Sequence, residues 1–378
     1  MKSSKTYYLQ TFGCQGNLTD SEKIASKYQQ LGYKQINDPT TADVAIINTC
    51  IVRESAENRA ISLIKKLKQQ KNKNPKLKII VTGCLVGAAN RESSGQRLRQ
   101  LKKIAADCEC VPVEKFLSFE PKRQNQKHAF ISISNGCNNL CAFCIVPFAR
   151  GREVSRPFAE IIKEVKKLAK NNFSEITLVG QNVNSYGADL IFQKNQFQLP
   201  NGKIVKPILV KSLGKTRIPT LFPYLLEEIC QIKKFKKISF MSSNPWDFSD
   251  ELIKVIAKYP AINREIHLPV QSGDNAVLKR MNRLHTRQEY LALVKKIRQS
   301  VPKARFTTDI IVGFPGETER QFQQTVALCQ KVGFNLAYIA RYSPRLGTLA
   351  AKKFTDNIPP QIKKQRFHAL NKLVNKIN

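Results

Sequence analysis

The chain has 378 residues, 42% of them apolar, which exceeds one ordinary core and predicts two domains. Sixty-three Lys and Arg against twenty-eight Asp and Glu leave a net charge of +35, which points to a polyanionic partner. No run of about eighteen apolar residues occurs, and Met1-Lys2-Ser3-Ser4-Lys5-Thr6-Tyr7 enters a strand-like segment without a signal-peptide core, so no membrane span and a cytoplasmic protein are expected.

A generally basic proteome would also raise the charge, but the excess is spread evenly with no long basic tail, which favours a folded basic face. Ten cysteines in a cytoplasmic chain argue for metal or redox work over a disulfide framework.

The first hundred residues repeat one unit. Residues 6–13 read as a strand ending at Cys14, and Asp20 and Ser21 offer a helix start for Ser21 to Leu31 before Gly32. Residues 43–49 form a second strand ending at Cys50, followed by helical spacing over about Glu54 to Gln70. Residues 77–83 form a third strand, ending at Cys84. This βαβαβ order predicts an α/β fold whose first domain, residues 1–120, is an open parallel sheet with right-handed crossovers.

Cys14, Cys50 and Cys84 are 36 and then 34 residues apart, each just past the C-terminal end of its strand. Open α/β sheets bind ligands at that edge, so the three thiols can converge on a metal site. Asn17 and Asn48 would either donate toward sulfur or cap turns. Cys108 and Cys110, flanking Glu109, and Cys230 and Cys329, on apolar helix faces, read as ordinary cysteines.

A polar stretch, Lys122 to Lys127, precedes a second series of βα units over residues 128–358. Strand-like runs cover 129–135, 175–180, 236–242, 264–270, 306–312 and 335–341, with helical patterns in most of the gaps. Six such units predict a partial parallel (βα)6 barrel, with its active site on the loops after the strands. The first of those loops carries Cys137, Cys141 and Cys144 in Cys-x-x-x-Cys-x-x-Cys spacing with no fourth ligand nearby. A structural zinc site closes with four protein ligands. Three thiolates on one loop instead suit a four-iron cluster with one iron open to a ligand. The remaining loops are rich in amides and hydroxyls, as a pocket for a polar cofactor would be.

Residues 187–221 interrupt this order: Phe192 to Leu199 and Lys203 to Val210 read as a basic β-hairpin around Pro200-Asn201-Gly202. From Lys194 to Arg217 it carries five lysines and one arginine, which suit a solvated decoration or a nucleic-acid contact. Residues 359–378 read as a basic C-terminal helix.

Over residues 6–376 the chain resembles the radical S-adenosylmethionine methylthiotransferases. The matching segments are Gly13-Cys14-Gln15, Asn48-Thr49-Cys50 with Val52-Arg53-Glu54, Thr82-Gly83-Cys84, Gly136-Cys137 through Pro157, Leu268 to Gly273 and Val312 to Thr318. Gln15 and Val52-Arg53-Glu54 resemble the branch that methylthiolates N6-dimethylallyladenosine in tRNA, with the threonylcarbamoyladenosine and ribosomal-protein branches as alternatives.

The resemblance implies S-adenosylmethionine and two [4Fe-4S] clusters. Cys137, Cys141 and Cys144 would hold the cluster that cleaves the cofactor to a deoxyadenosyl radical, which removes hydrogen from adenine C2. Cys14, Cys50 and Cys84 would hold the cluster that carries sulfur. It further implies that Phe143 packs the cofactor's adenine, that Gln181 and Asn182 meet its amino group, and that Ser242 and Gln271 meet its ribose. The partners expected are the tRNA anticodon loop and an unidentified electron donor, and the expected state is a monomer. The family usually ends in a small RNA-binding β-barrel, whereas this chain stops at Asn378; either the branch lacks it or the sequence is incomplete, and tRNA affinity is assigned to the basic surface. The rival from another class is a non-enzymatic, metal-stabilised RNA-binding protein.

Overall fold

The structure, a computed structural model, describes residues 5–191, 196–211 and 217–376. The chain divides into two compact units: one holds the residues up to Gln126 together with Cys144–Arg152, the other Lys127–Phe143 and Glu153 onward.

The first unit is built on a parallel sheet of β1 (Thr6–Thr11), β2 (Lys34–Gln35), β3 (Val44–Thr49), β4 (Lys78–Gly83) and β5 (Glu109–Cys110), in the order β2-β1-β3-β4-β5. Every residue of the central strand β3 is buried, as a parallel strand covered on both faces requires. The two-residue edge strands β2 and β5 lack the apolar run by which the other three were predicted.

Four helices follow these strands: α1 (Gln15–Gln30), α2 (Glu54–Lys73), α3 (Cys84–Arg91) and α4 (Gln96–Ile104). Helix α1 starts six residues before the expected Ser21, with Cys14 in extended backbone as its N-cap. Asp20 and Ser21 are polar for a different reason than capping: Asp20 pairs with Arg150, and Ser21 accepts from Asn48. A further short helix, α5 (Val146–Arg150), buries Ile145 and Ala149 in the core on the α2–α3 side of this sheet.

The second unit carries six parallel strands: β6 (His128–Ser132), β7 (Glu175–Val179), β8 (Lys237–Phe240), β9 (Glu265–His267), β10 (Arg305–Val312) and β11 (Leu336–Arg341). Consecutive strands are neighbours in two ladders, β6-β7-β8 and β9-β10-β11, and the parallel bridge Ile238↔Ile262 ties β8 to the segment that leads into β9. This is the partial (βα)6 barrel. Helices α6 (Phe158–Lys170), α7 (Phe222–Gln231), α8 (Asp250–Lys258), α9 (Asn275–Arg280), α10 (Arg287–Ser300) and α11 (Glu319–Val332) alternate with the strands, and the last two start with full capping boxes at Thr286 and Thr318.

The insertion differs from a single hairpin. Phe197–Gln198 pairs with Ile204–Val205 around the Asn-Gly turn, whereas Ile208–Lys211 pairs antiparallel with Arg217–Thr220. The buried side chains of Val205 and Val210 face the core, while Lys203, Lys206, Lys211 and Arg217 are exposed. Residues 192–195 of the expected first arm, and Lys215, lie outside the described residues. Downstream lie α12 (Leu349–Lys353) and α13 (Pro360–Leu370), the latter continuing into a π-turn over Asn371–Asn375. Among the described residues no helix is long and apolar enough to cross a membrane.

Candidate cysteine centres

In the first unit, three thiols meet at one sheet edge. Asn17, buried in the first turn of α1, accepts from the Cys14 thiol at 3.4 Å through Oδ1, and the same oxygen lies 4.0 Å from Cys84 Sγ. A Cβ on Gly13 would stand 3.0 Å from Cys50 Cβ, which puts the third cysteine against the same turn. Among the described residues no three His, Cys, Asp or Glu side chains are grouped closely enough to hold a single metal ion.

Two glycines make the approach possible. Gly83 has φ +89, and a Cβ there would lie 2.3 Å from Asn48 Oδ1 and 2.6 Å from the Thr49 carbonyl, so only glycine lets β4 turn directly into α3 at Cys84. Gly13, at φ +129, likewise leaves room for Asn17. Asn17 Nδ2 donates to the Thr49 carbonyl at 2.9 Å and lies 3.9 Å from Cys84 Sγ. Asn48 works one layer back, donating to the Asn17 carbonyl at 2.8 Å and to Ser21 Oγ at 2.9 Å.

Burial pushes the Cys84 thiol up to about 11; Arg150 opposes that rise, and neighbouring Cys14 and Cys50 add to it. Three thiolates in this position would repel one another. A bound cation centre removes that penalty by neutralising the sulfurs. Arg150 escaped the sequence reading because its partners, Asp20 and Asn17, are 130 and 133 residues away.

In the second unit the cysteine loop follows β6. Cys137 is buried and accepts from the Asn139 amide at 3.4 Å. Cys141 accepts from Arg283 Nη1 at 3.4 Å. Arg283 in turn binds Asn244 Oδ1 and the Pro269 carbonyl, with its guanidinium 4.4 Å from the Trp246 ring centre. Cys144 opens the segment that belongs to the first unit. Phe143 packs on an apolar cluster of Ala142, Val277, Met281, Phe314, Tyr342 and Ala350.

The loops after the strands supply the polar groups. Asn182 and Asn184 donate to the two oxygens of the fully enclosed Asp247, at 2.6 and 2.8 Å. Their own amide oxygens are left buried and unpartnered. Burial raises the Asp247 carboxyl to about 7 against the pull of those two amides. Ser242 and Gln271 both adopt left-handed backbone, at φ 71 and 72, a strained state for non-glycine residues that is frequent at functional sites. Gln271 is fixed by a parallel bridge to Ile310. Gln181 is half-buried at the end of β7.

Glu153, buried in the turn after the cysteine loop, was missed by sequence reading. Its two oxygens lie 2.7 and 2.8 Å from Ser185 Oγ, and burial raises it to about 8, with Asp247 and Asp189 adding to the rise.

Residues 131–329 match the Radical SAM superfamily, and residues 6–104 match the Uncharacterized protein family UPF0004. The tRNA-2-methylthio-N(6)-dimethylallyladenosine synthases of Staphylococcus aureus strains JH9 and Newman are 40% identical to this chain over 400 residues, covering 99% of it and 72% of theirs. The chain belongs to the radical SAM methylthiotransferases. Its fold is also that of the radical S-adenosylmethionine methyltransferase TsrM from Kitasatospora setae, with a TM-score of 0.57 at 13% identity over 92% of this chain and 75% of that one. The cobalamin-dependent radical enzyme OxsB superposes with a TM-score of 0.53 at 12% identity, over 100% and 62%. Membership carries S-adenosylmethionine and a [4Fe-4S] cluster with it.

Proposed function

We propose that this chain is a tRNA methylthiotransferase that adds a methylthio group to C2 of N6-dimethylallyladenosine next to the anticodon. The observation that carries the reading is the gathering of Cys14, Cys50 and Cys84 at one sheet edge in a chain that also bears the Cys137, Cys141 and Cys144 loop. Three sulfurs at one sheet edge suit a multi-iron cluster, in which each sulfur binds a different iron.

Cys137, Cys141 and Cys144 would hold the cluster that binds S-adenosylmethionine, and Cys14, Cys50 and Cys84 a second [4Fe-4S] cluster. When bound, these groups supply one-electron cleavage of the sulfonium and the sulfur to be inserted. The protein's part is to orient and to exclude water. The unpartnered Asn182 Oδ1 offers an acceptor for the cofactor's ammonium, and Asp247 holds that amide in place. Ser242 and Gln271 are assigned to the ribose, Gln181 to the amino group, and Phe143 to the adenine face. Arg283 neutralises charge at Cys141 while its other bonds fix the loop after α9. The exposed cations suit the phosphates of an anticodon loop, whose base must be unstacked to be reached. A cytoplasmic reaction fits a tRNA substrate.

Nucleoside analysis of tRNA from a deletion strain is the test. The methylthio-dimethylallyl nucleoside should vanish and return on complementation. Its persistence with loss of the methylthio-threonylcarbamoyl nucleoside would move the substrate and leave the mechanism. Anaerobic reconstitution should yield roughly eight irons per chain; zinc alone would leave a non-enzymatic RNA-binding protein.

A further inference from the structure

Arg150 has no part in the chemistry assigned so far, yet its position is among the most constrained in the first unit. Its side chain is 5% exposed, as is that of Asp20, whose Oδ2 it meets at 2.7 Å. Helix α5 holds it there: Ile145 and Ala149 are in the core, and Arg91 Nη1 donates to the Ala149 carbonyl at 3.1 Å. A Cβ on Gly87 would overlap that same carbonyl at 2.0 Å, so α3 and α5 are packed as tightly as backbones allow.

The guanidinium also reaches Asn17 Oδ1 at 3.5 Å, the oxygen that lies 3.4 Å from Cys14 Sγ and 4.0 Å from Cys84 Sγ. A permanent, desolvated positive charge therefore sits one amide away from two of the three sulfurs. Structural needs alone do not call for this, because a buried ion pair is a weak device for stability.

We infer that Arg150 is a positioning residue that raises the reduction potential of the iron–sulfur centre on Cys14, Cys50 and Cys84, and that Asp20 limits the rise. The inference rests on the proposed second cluster. Reduction adds one electron to a centre that three thiolates already make negative. A fixed cation in a low-dielectric site stabilises the reduced form, and net charge around the sulfurs is one of the protein's controls on potential. Iron-bound sulfurs are thiolates with no S–H to donate, so the charge acts across the short intervening distance, and Asn17 Nδ2, 3.9 Å from Cys84 Sγ, is the amide group that can donate to them.

The test uses the full chain with Cys137→Ala, Cys141→Ala and Cys144→Ala, so that only the first-unit centre can assemble. The protein is reconstituted anaerobically with iron and sulfide and titrated against potential by electron paramagnetic resonance. Adding Arg150→Gln should lower the midpoint by at least a tenfold change in the reduced-to-oxidised ratio, about 59 mV for one electron. Adding Asp20→Asn should move it the other way. Arg150→Lys keeps the charge and should stay nearer the parent than Arg150→Gln. Opposite signs are the signature of charge, since a merely structural pair would give both variants the same direction or a loss of iron with the midpoint unchanged. Either of those results overturns the inference. If Arg150→Gln does not fold, the sign for Asp20→Asn decides. A parent protein that assembles no centre refutes the second cluster itself, and the inference falls with it.

Discussion

Glu153→Gln should stabilise the second unit, and by an amount that depends on pH. Glu153 is 8% exposed and its carboxyl forms no ion pair among the described residues; its partner is the neutral Ser185 hydroxyl. Ser185 Oγ also lies 3.0 Å from the Asn182 carbonyl, and one hydroxyl hydrogen cannot serve both acceptors. A protonated Glu153 resolves the conflict by donating to Ser185, which then donates to Asn182. Burial raises this carboxyl from 4.5 to about 8, so the folded state keeps a proton that the unfolded state has lost. Wild-type stability therefore falls as pH rises from about 4.5 to about 8 and levels off above that. At about 1.4 kcal/mol per unit the ceiling is about 5 kcal/mol, and relaxation of the site brings the expected gap to about 2–4 kcal/mol. Glutamine donates as the protonated acid does and carries no such titration. Trp246, the only tryptophan in the sequence and buried in this unit, supplies the fluorescence signal for urea unfolding at pH 5 to 9. The variant should match wild type near pH 4.5 and exceed it by the full gap at pH 8.5. A difference constant with pH, or a variant less stable at pH 8.5, refutes the reasoning.

Gly83→Ala combines a φ of +89 with a Cβ 2.3 to 2.7 Å from Asn48 and the Thr49 backbone; a loss of about 3 kcal/mol or more is expected by circular dichroism in urea, with lower iron uptake. Cys141→Ala should abolish formation of 5′-deoxyadenosine, whereas Cys50→Ala should retain it and lose sulfur insertion, both read by chromatography; full methylthiolation by the Cys50 variant would refute its role. Arg366→Leu strips Glu317, whose side chain is 1% exposed, of the cation 2.9 Å away. A cost of about 3–5 kcal/mol is expected, with most of it recovered on adding Glu317→Gln.

Most of the strands were legible because parallel strands buried on both faces are continuous apolar runs: Val44–Thr49 and Lys78–Gly83 read almost to the residue. Cys14, Cys50 and Cys84 were singled out by their positions just past strand ends, and Cys137, Cys141 and Cys144 by their Cys-x-x-x-Cys-x-x-Cys spacing. What escaped was whatever depended on partners distant in sequence. Asp20 and Ser21 looked like a helix start because they are polar, and they are polar to meet Arg150 and Asn48. Glu153 and Asp247 look like surface acids in a string of letters, and only the fold shows them enclosed against Ser185 and two asparagines. The C-terminal segment reads as a basic helix, yet Lys363 and Arg366 point inward to Asp356 and Glu317.

That inward turn bears on where the +35 charge resides. Among the described residues the buried acids are Asp20, Glu22, Glu92, Glu153, Asp247 and Glu317, and the buried bases are Lys23, Arg97, Arg150, Arg283, Lys363 and Arg366. Among the described residues burial removes equal numbers of each sign, so it does not diminish the cationic excess that a polyanion can meet. If tRNA is held through that excess, each phosphate neutralised adds about 0.7 to the slope of log affinity against log salt for single-stranded contacts and about 0.9 for duplex. Six or more contacts predict a slope of about −4 or steeper, measured by filter binding of an unmodified tRNA between low and moderate salt. A slope shallower than about −2 would mean that fewer than three phosphates are engaged, and the surface charge would then need another explanation.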